Sequence, residues 1–206
     1  MATDFFLRGT TSSVGGAGDR ILSQRRGRVG TGGTGQTAVT TTTAGGTNIQ
    51  VTTSAGGQAL QWFSEPITEA VTISGTVTPN IRGNESANTV NAGAGVLIQR
   101  CDNAGAVLST IVADTVVGAE YGTVDAARTA NLTPTSTAMG VGERIKVTLK
   151  VRNVGTMAAG TVTNTYNAAA AATSGDTYVR FAENIRTDEV IDVQQPEIYG
   201  SNGYRV

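Results

Sequence analysis

Residues 144–152, RIKVTLKVR, alternate without a break: Arg144, Lys146, Thr148, Lys150 and Arg152 share one parity, and Ile145, Val147, Leu149 and Val151 the other. Side chains of a strand point alternately to opposite faces, whereas a helix would scatter both sets around its circumference. The segment is therefore a strand with one apolar face, and that face needs a second layer to cover it.

The same texture runs from Gln58 onward as short β-branched stretches bounded by Gly, Asn and Asp. ALQWFSEP reads as the first strand of a folded domain, with Trp62 and Phe63 in its core. In EAVTISGTVTPNI, Val71, Ile73 and Val77 alternate with Thr72, Ser74, Thr76 and Thr78, one half-buried strand with Gly75 as a bulge. Gly95–Cys101 and Ala106–Ala113 read as a hairpin turning at Asp102-Asn103-Ala104-Gly105. Further strands are expected at Val124–Leu132, Thr161–Tyr166 and Thr177–Ile185. Only NAAAAATSG, residues 167–175, looks helical. The expectation is an all-β chain, a β-sandwich or jelly-roll-like domain of about eight strands over residues 58–186.

Residues 1–57 read differently. The segment to Arg28 is basic, with Arg8, Arg20, Arg25, Arg26 and Arg28 against Asp4 and Asp19. Residues 29–57 carry no charge and are dominated by Gly and Thr, which predicts an extended arm. Residues 187–206, with Asp188, Glu189, Asp192 and Glu197 against Arg205, make an acidic C-terminal extension. The whole chain balances to a net charge of −1.

The chemistry available is narrow. There is no histidine, which excludes Ser-His-Asp, Cys-His and histidine-zinc chemistries. The single cysteine, Cys101, has no intrachain partner. RVGTGGTGQT, residues 28–37, carries Gly30, Gly32 and Gly35 at the G-x-G-x-x-G spacing and nearly matches a phosphate loop. Gln36 stands where the lysine belongs, and neither a strand before nor a helix after is present, so the nucleotide reading is set aside. Glu65 with Glu69, and Asp188 and Glu189 with Asp192, are the nearest approaches to paired carboxylates, and read as surface acids. Asn84-Glu85-Ser86 and Asn131-Leu132-Thr133 match glycosylation acceptors by chance. No cofactor and no metal site is expected, and no nucleophile with a matching base can be named, so the chain reads as a non-enzyme.

No stretch approaches the roughly 18 apolar residues that span a bilayer. MATDFFLRGTTSS lacks the pattern of a signal peptide, so manufacture in the cytoplasm is expected, without export by the general route or membrane partner. The row Arg144, Lys146, Lys150 and Arg152 lacks the interleaved aromatics of single-strand binders, and protein surfaces are preferred to nucleic acid as its partner. The residues expected at protein interfaces are Phe5, Phe6, Arg8, Arg20, Arg25, Arg26, Arg28, Arg144, Lys146, Lys150, Arg152, Tyr199 and Tyr204.

ALQWFSEPITEAVTISGTVTPNIRGNES, AGVLIQRCDNAG, TPTSTAMGVGERIKVTLKVRNVG and GDTYVRFAENI together resemble a group of tailed-bacteriophage virion proteins, over residues 58–186, and DFFLR resembles their openings. The resemblance implies a virion structural protein assembled in the bacterial host, foremost a capsid decoration (cement) or minor head protein. Its partners would be the major capsid protein or other virion subunits, and it would form a homo-oligomer such as a trimer. The alternatives are a neck or tail structural protein, or a glycan- or receptor-binding module using loop residues such as Asn80 to Asn91.

Overall fold

The computed structural model describes residues 1–16, 19–24, 36–52, 58–166 and 177–188. All regular structure among them is β, in chain order β1 (Thr3–Thr11), β2 (Asp19–Ser23), β3 (Gln36–Thr42), β4 (Asn48–Gln50), β5 (Gln61–Ser64), β6 (Val71–Ile73) and β7 (Val77–Glu85). There follow β8 (Ala92–Cys101), β9 (Val107–Val117), β10 (Ala126–Thr129), β11 (Thr137–Met139), β12 (Arg144–Asn153), β13 (Gly160–Tyr166) and β14 (Tyr178–Phe181). The described residues contain no helix long and apolar enough to cross a membrane.

Ten strands hydrogen-bond in the order β3-β13-β7-β14-β1-β2-β5-β12-β8-β9; β10 also pairs with β7, and β4 with β12. All neighbours are antiparallel except β2 and β5, which run parallel. The path folds back on itself. Trp62 of β5 meets Tyr166 of β13 edge-on at 5.5 Å between ring centroids, although four strands lie between them along the path. Such a contact needs two stacked layers, and the register between β1 and β2 breaks between Leu7 and Thr11. The all-β sandwich-like fold is thus as the alternating segments predict.

β12 lies in the middle of its layer because its sequence suits that place. It pairs with β8 over all ten residues and offers its other edge to β4 and β5 in turn. Ile145, Val147, Leu149 and Val151 are all fully buried, and each such side chain contributes about 1.5–3 kcal/mol by leaving water. The β8–β9 hairpin turns where expected. The Asp102 amide donates to the Ala106 carbonyl at 2.9 Å, the Ala106 amide to Asp102 Oδ1 at 2.8 Å, and Gly105 adopts φ +89°, open to glycine without strain.

The structure differs from the sequence reading in three places. Residues 1–57, expected as an arm, place β1 to β4 in the same sheet. β1 sits between β14 and β2 with Phe5 and Leu7 fully buried, and Phe5 meets Phe181 edge-on at 5.8 Å. The reason β3 escapes a hydropathy pattern is that threonine does the work of an apolar residue. Ala38, Thr40 and Thr42 point inward while Val39 points out, and Thr42 donates its hydroxyl to the Ala158 carbonyl at 2.7 Å. Second, EAVTISGTVTPNI is two strands, not one. The amides of Ser74 and Gly75 both donate to Glu183 Oε1, at 2.8 and 2.5 Å, which ends β6 and sends it to pair with β11 in a separate small sheet. Third, the described residues hold fourteen strands against about eight expected; β1 to β4, the split at Gly75 and β11 make the difference.

Gln36 and Thr37, the end of the G-x-G-x-x-G stretch, are paired in β3 with Tyr166 and Thr165. Residues 30–35 of that stretch, the alanine-rich segment 167–175, Arg25, Arg26, Arg28, Tyr199, Tyr204 and the extension beyond Asp188 lie outside the described residues.

Candidate functional site

The row of basic residues on β12 is answered from within the chain. Arg144 Nη1 donates to the Ser64 carbonyl at 2.8 Å and its Nε to the Asn103 carbonyl at 3.0 Å, with Glu65 3.5 Å away. Lys146 stands 5.6 Å from the centroid of the Phe63 ring. Lys150 Nζ donates to Asp114 Oδ2 at 2.7 Å, Arg152 Nη1 lies 3.1 Å from Oδ1, and Asn48 donates to the same carboxylate. One aspartate on β9 thus collects two cations, and the row forms no continuous positive track for an outside anion.

The other expected interface residues scatter. Phe5 and Phe6 are buried, Phe6 packing 5.7 Å from Tyr178, and the Arg8 carbonyl accepts from Trp62. Arg20 pairs in register with Trp62 on one side and Thr11 on the other. Glu65 and Glu69 turn to separate arginines, Arg144 and Arg186, each at 3.5 Å. The stretch Asn80 to Asn91 is half strand, ending in a turn where Asn91 takes φ 54°.

The polar cluster that does assemble has Glu85 at its centre. In β7 the inward parity runs Val77, Pro79, Ile81, Gly83, Glu85, so a carboxyl ends an otherwise apolar series. On the neighbouring β13, Val162 lies opposite Glu85 and Asn164 opposite Gly83, which puts both on the same inner face. Tyr121 packs over Gly83: a Cβ at position 83 would lie 2.9 Å from Tyr121 Cζ and 2.6 Å from the Thr163 carbonyl, so only glycine fits beneath the ring. Asn164 Nδ2 donates to the Tyr121 hydroxyl at 2.7 Å.

Backbone bonds fix the connection between β9 and β10 at this point. The Glu85 amide donates to the Gly122 carbonyl at 2.9 Å and the Tyr121 amide to the Ala92 carbonyl at 2.8 Å. The Ala92 amide donates to Glu85 Oε2 at 3.2 Å, Arg128 Nε to the Glu120 carbonyl at 2.7 Å, and the Arg128 guanidinium lies 5.8 Å from the Tyr121 ring centroid. Burial pushes the Glu85 carboxyl up from its ordinary value; the adjacent Glu120 carboxyl adds to the push, while the Ala92 amide and Arg128 oppose it. Burial also raises the Tyr121 phenol, against the pull of Asn164.

Among the described residues no group of three or more Cys, Asp or Glu converges as a metal site. Glu85 was legible in outline, since it continues the parity of Val77 and Ile81. What hid it was distance in sequence: Glu120 and Asn164 reach it only through the folded sheet.

No family model matches the chain and no curated protein matches it in sequence. Solved structures do share its fold. An aminopeptidase from a marine sediment archaeon, Thaumarchaeota archaeon, superposes on 88% of this chain with a TM-score of 0.57 at 9% identity. An alpha-amino acid ester hydrolase matches over 90% with a TM-score of 0.54 at 12% identity. A CocE/NonD family hydrolase from Staphylococcus aureus matches over 88% with a TM-score of 0.52 at 9% identity.

In each case the chain spans 36%, about a third, of the hydrolase's own length. These matches correct the expectation of a bacteriophage virion component, whether decoration, head, neck, tail or receptor-binding, and with it the non-enzyme reading: the three solved structures just described, which superpose on 88–90% of the chain, are hydrolases. Strand-and-turn patterns at residues 58–186 encode a sandwich, and sandwiches host many unrelated functions.

Proposed function

We propose that this chain is the all-β domain of a hydrolase acting on esters or amides of α-amino acids. The observation that carries the reading is the superposition of 88–90% of the chain on about a third of an aminopeptidase and of an amino acid ester hydrolase. The share matters as much as the likeness, because the remaining two thirds of those hydrolases have no counterpart in these residues. The domain's part is to pack beside the unit that holds the nucleophile and to shape access to it, ligand sites being common where domains meet. Absence of histidine fits this division, since a Ser-His-Asp site would draw its base from outside the chain.

Hydrolysis is the test. An antibody raised against the chain is used to deplete an extract of the cells that make it, and both fractions are assayed on aminoacyl esters and aminoacyl anilides. Turnover should travel with the captured material and fall in the depleted extract. Captured material that is inert, with full turnover left behind, overturns the reading.

A further inference from the structure

β3 ends the strand path, and one of its edges pairs with β13 over its whole length, from Gln36 opposite Tyr166 to Thr42 opposite Gly160. The direction of the hydrogen bonds on β13 is fixed from its other side. Ser86 donates its amide to the Thr161 carbonyl at 2.9 Å, and the Thr177 hydroxyl donates to the Thr165 carbonyl. Thr161, Thr163 and Thr165 therefore turn their backbone groups toward β7, and Gly160, Val162, Asn164 and Tyr166 turn theirs toward β3. Their partners there are Thr42, Thr40, Ala38 and Gln36. The residues in between, Thr37, Val39 and Thr41, direct both N–H and C=O to the outer edge, where no described residue bonds them.

The same three residues point away from the core. Thr37 and Thr41 are exposed and Val39 is 52% exposed, with Thr163 of β13 beside it on the same face. Soluble proteins guard such an edge with charge, proline or a bulge. β3 has none of these: residues 29–57 carry no charge, QTAVTTT contains no proline, and its pairing runs without a register shift. The other end of the path, β9, is shielded where the Thr135 amide donates to the Ile111 carbonyl at 2.8 Å.

We propose that this edge binds β3 of a second copy of the chain, antiparallel, about a two-fold axis at Val39. The spacing selects the occupant. Thr37 and Thr41 stand at equal distance on either side of Val39, so the axis sets Val39 against its own copy and Thr37 against Thr41 of the second chain. Every one of these pairs joins positions whose backbone groups face outward, and each can exchange two N–H···O bonds. A slip of one residue would offer Ala38 or Thr40, whose groups are already spent on β13. On the outer face valine meets valine and threonine meets threonine, favourable cross-strand pairs, and no like charges are brought together. The two sheets then continue as one across the axis. The contact uses β3 alone and stands whether or not the chain belongs to a hydrolase.

The experiment is light scattering of the full chain after size exclusion over a dilution series, followed by oxidation of cysteine variants. The one native cysteine, Cys101, is buried. The wild type should be a dimer that dissociates on dilution. Val39→Lys places two ammonium groups opposite each other and should be monomeric throughout, with the wild-type circular dichroism. Val39→Cys should oxidise to a covalent dimer, because bonded antiparallel pairs hold their Cα atoms about 5.5 Å apart, within the range of about 4.4–6.8 Å that a disulfide spans. Thr37→Cys should not cross-link by itself, but should do so when mixed with Thr41→Cys. A wild type that is monomeric at every concentration overturns the proposal, as does a Val39→Lys dimer or Thr37→Cys cross-linking alone as readily as Val39→Cys. The wild-type dilution series decides the matter even where a variant fails to fold.

Discussion

The indole N–H of Trp62 donates to the backbone carbonyl of Arg8 at 2.9 Å, a bond between residues 54 apart in sequence. Along the sheet, β5 and β1 are separated by β2, so the indole reaches past one strand to hold the next but one. The same ring meets Tyr166 in the facing layer. Trp62 thus joins the N-terminal strand, the middle of its own layer and the opposite layer at a single fully buried side chain.

Replacement of Trp62 separates these roles. Trp62→Phe keeps an aromatic body but loses the donor to Arg8, and should lower the unfolding free energy by about 1–3 kcal/mol. Trp62→Ala removes the body as well and should lower it by about 3–5 kcal/mol. Urea unfolding followed by far-UV circular dichroism measures both, since Trp62 is the chain's only tryptophan and the variants lose the fluorescent probe.

The N-terminal residues give a sharper contrast. β1 is an inner strand, flanked by β14 and β2, and its removal would strip both partners as well as the Phe5 and Leu7 packing. Deletion of residues 1–11 should therefore abolish cooperative unfolding and shift Trp62 emission to longer wavelength. A truncated chain that melts as the full one does, with unshifted emission, would restore the picture of a detachable arm.

Gly83 is the site where the smallest change should have the largest local effect. A methyl group there would collide with the Thr163 carbonyl and the Tyr121 ring, and the backbone atom cannot step aside without disturbing the β7–β13 pairing. Gly83→Ala should lower stability by about 1–3 kcal/mol through overpacking. Loss of protection at the Tyr121 amide before that of β12 amides would locate the damage.

Asp114 is the shared counter-charge of Lys150 and Arg152, and all three side chains are largely covered. Asp114→Ala leaves two cations on neighbouring positions of one strand face without their anion. It should lower stability by about 1–2 kcal/mol, less than for a fully buried pair because water reaches part of the cluster. Added salt should narrow the difference between variant and wild type in thermal melts.

These cases show which parts of the molecule the sequence displays. The β12 strand was legible because its alternation is local and complete, and the β8–β9 hairpin because Asp102 and Gly105 sit where the turn needs an acceptor and a positive φ. β1 and β3 were not, for opposite reasons. DFFLR is too short to show a period, and QTAVTTT buries threonines, Thr40 and Thr42, where a hydropathy pattern expects apolar residues, the Thr42 hydroxyl finding its partner, the Ala158 carbonyl, only in the folded chain. The Glu85 cluster joins residues from β7, β13 and the β9–β10 connection, so its chemistry depends on long-range pairing that no local pattern carries. The basic row on β12 was legible as a row, but its counter-charges on β9 and at Glu65 were not.

Acid should weaken the fold through Glu143. Arg100 donates to this carboxylate from Nε at 2.7 Å and again from Nη2, and the Gly140 amide adds a third bond at 2.8 Å. The Arg100 bonds hold the Glu143 carboxyl below its ordinary value, with burial acting against them. A lowered folded value means that the unfolded chain binds the proton more tightly. The contribution is then present above the ordinary glutamate range and is lost as pH falls through the folded value. Melting temperature should fall on acidification below about pH 4.3, and Glu143→Gln should flatten that acid limb while lowering stability at neutral pH. An acid limb unchanged in Glu143→Gln would overturn the assignment of that loss to the Arg100–Glu143 pair.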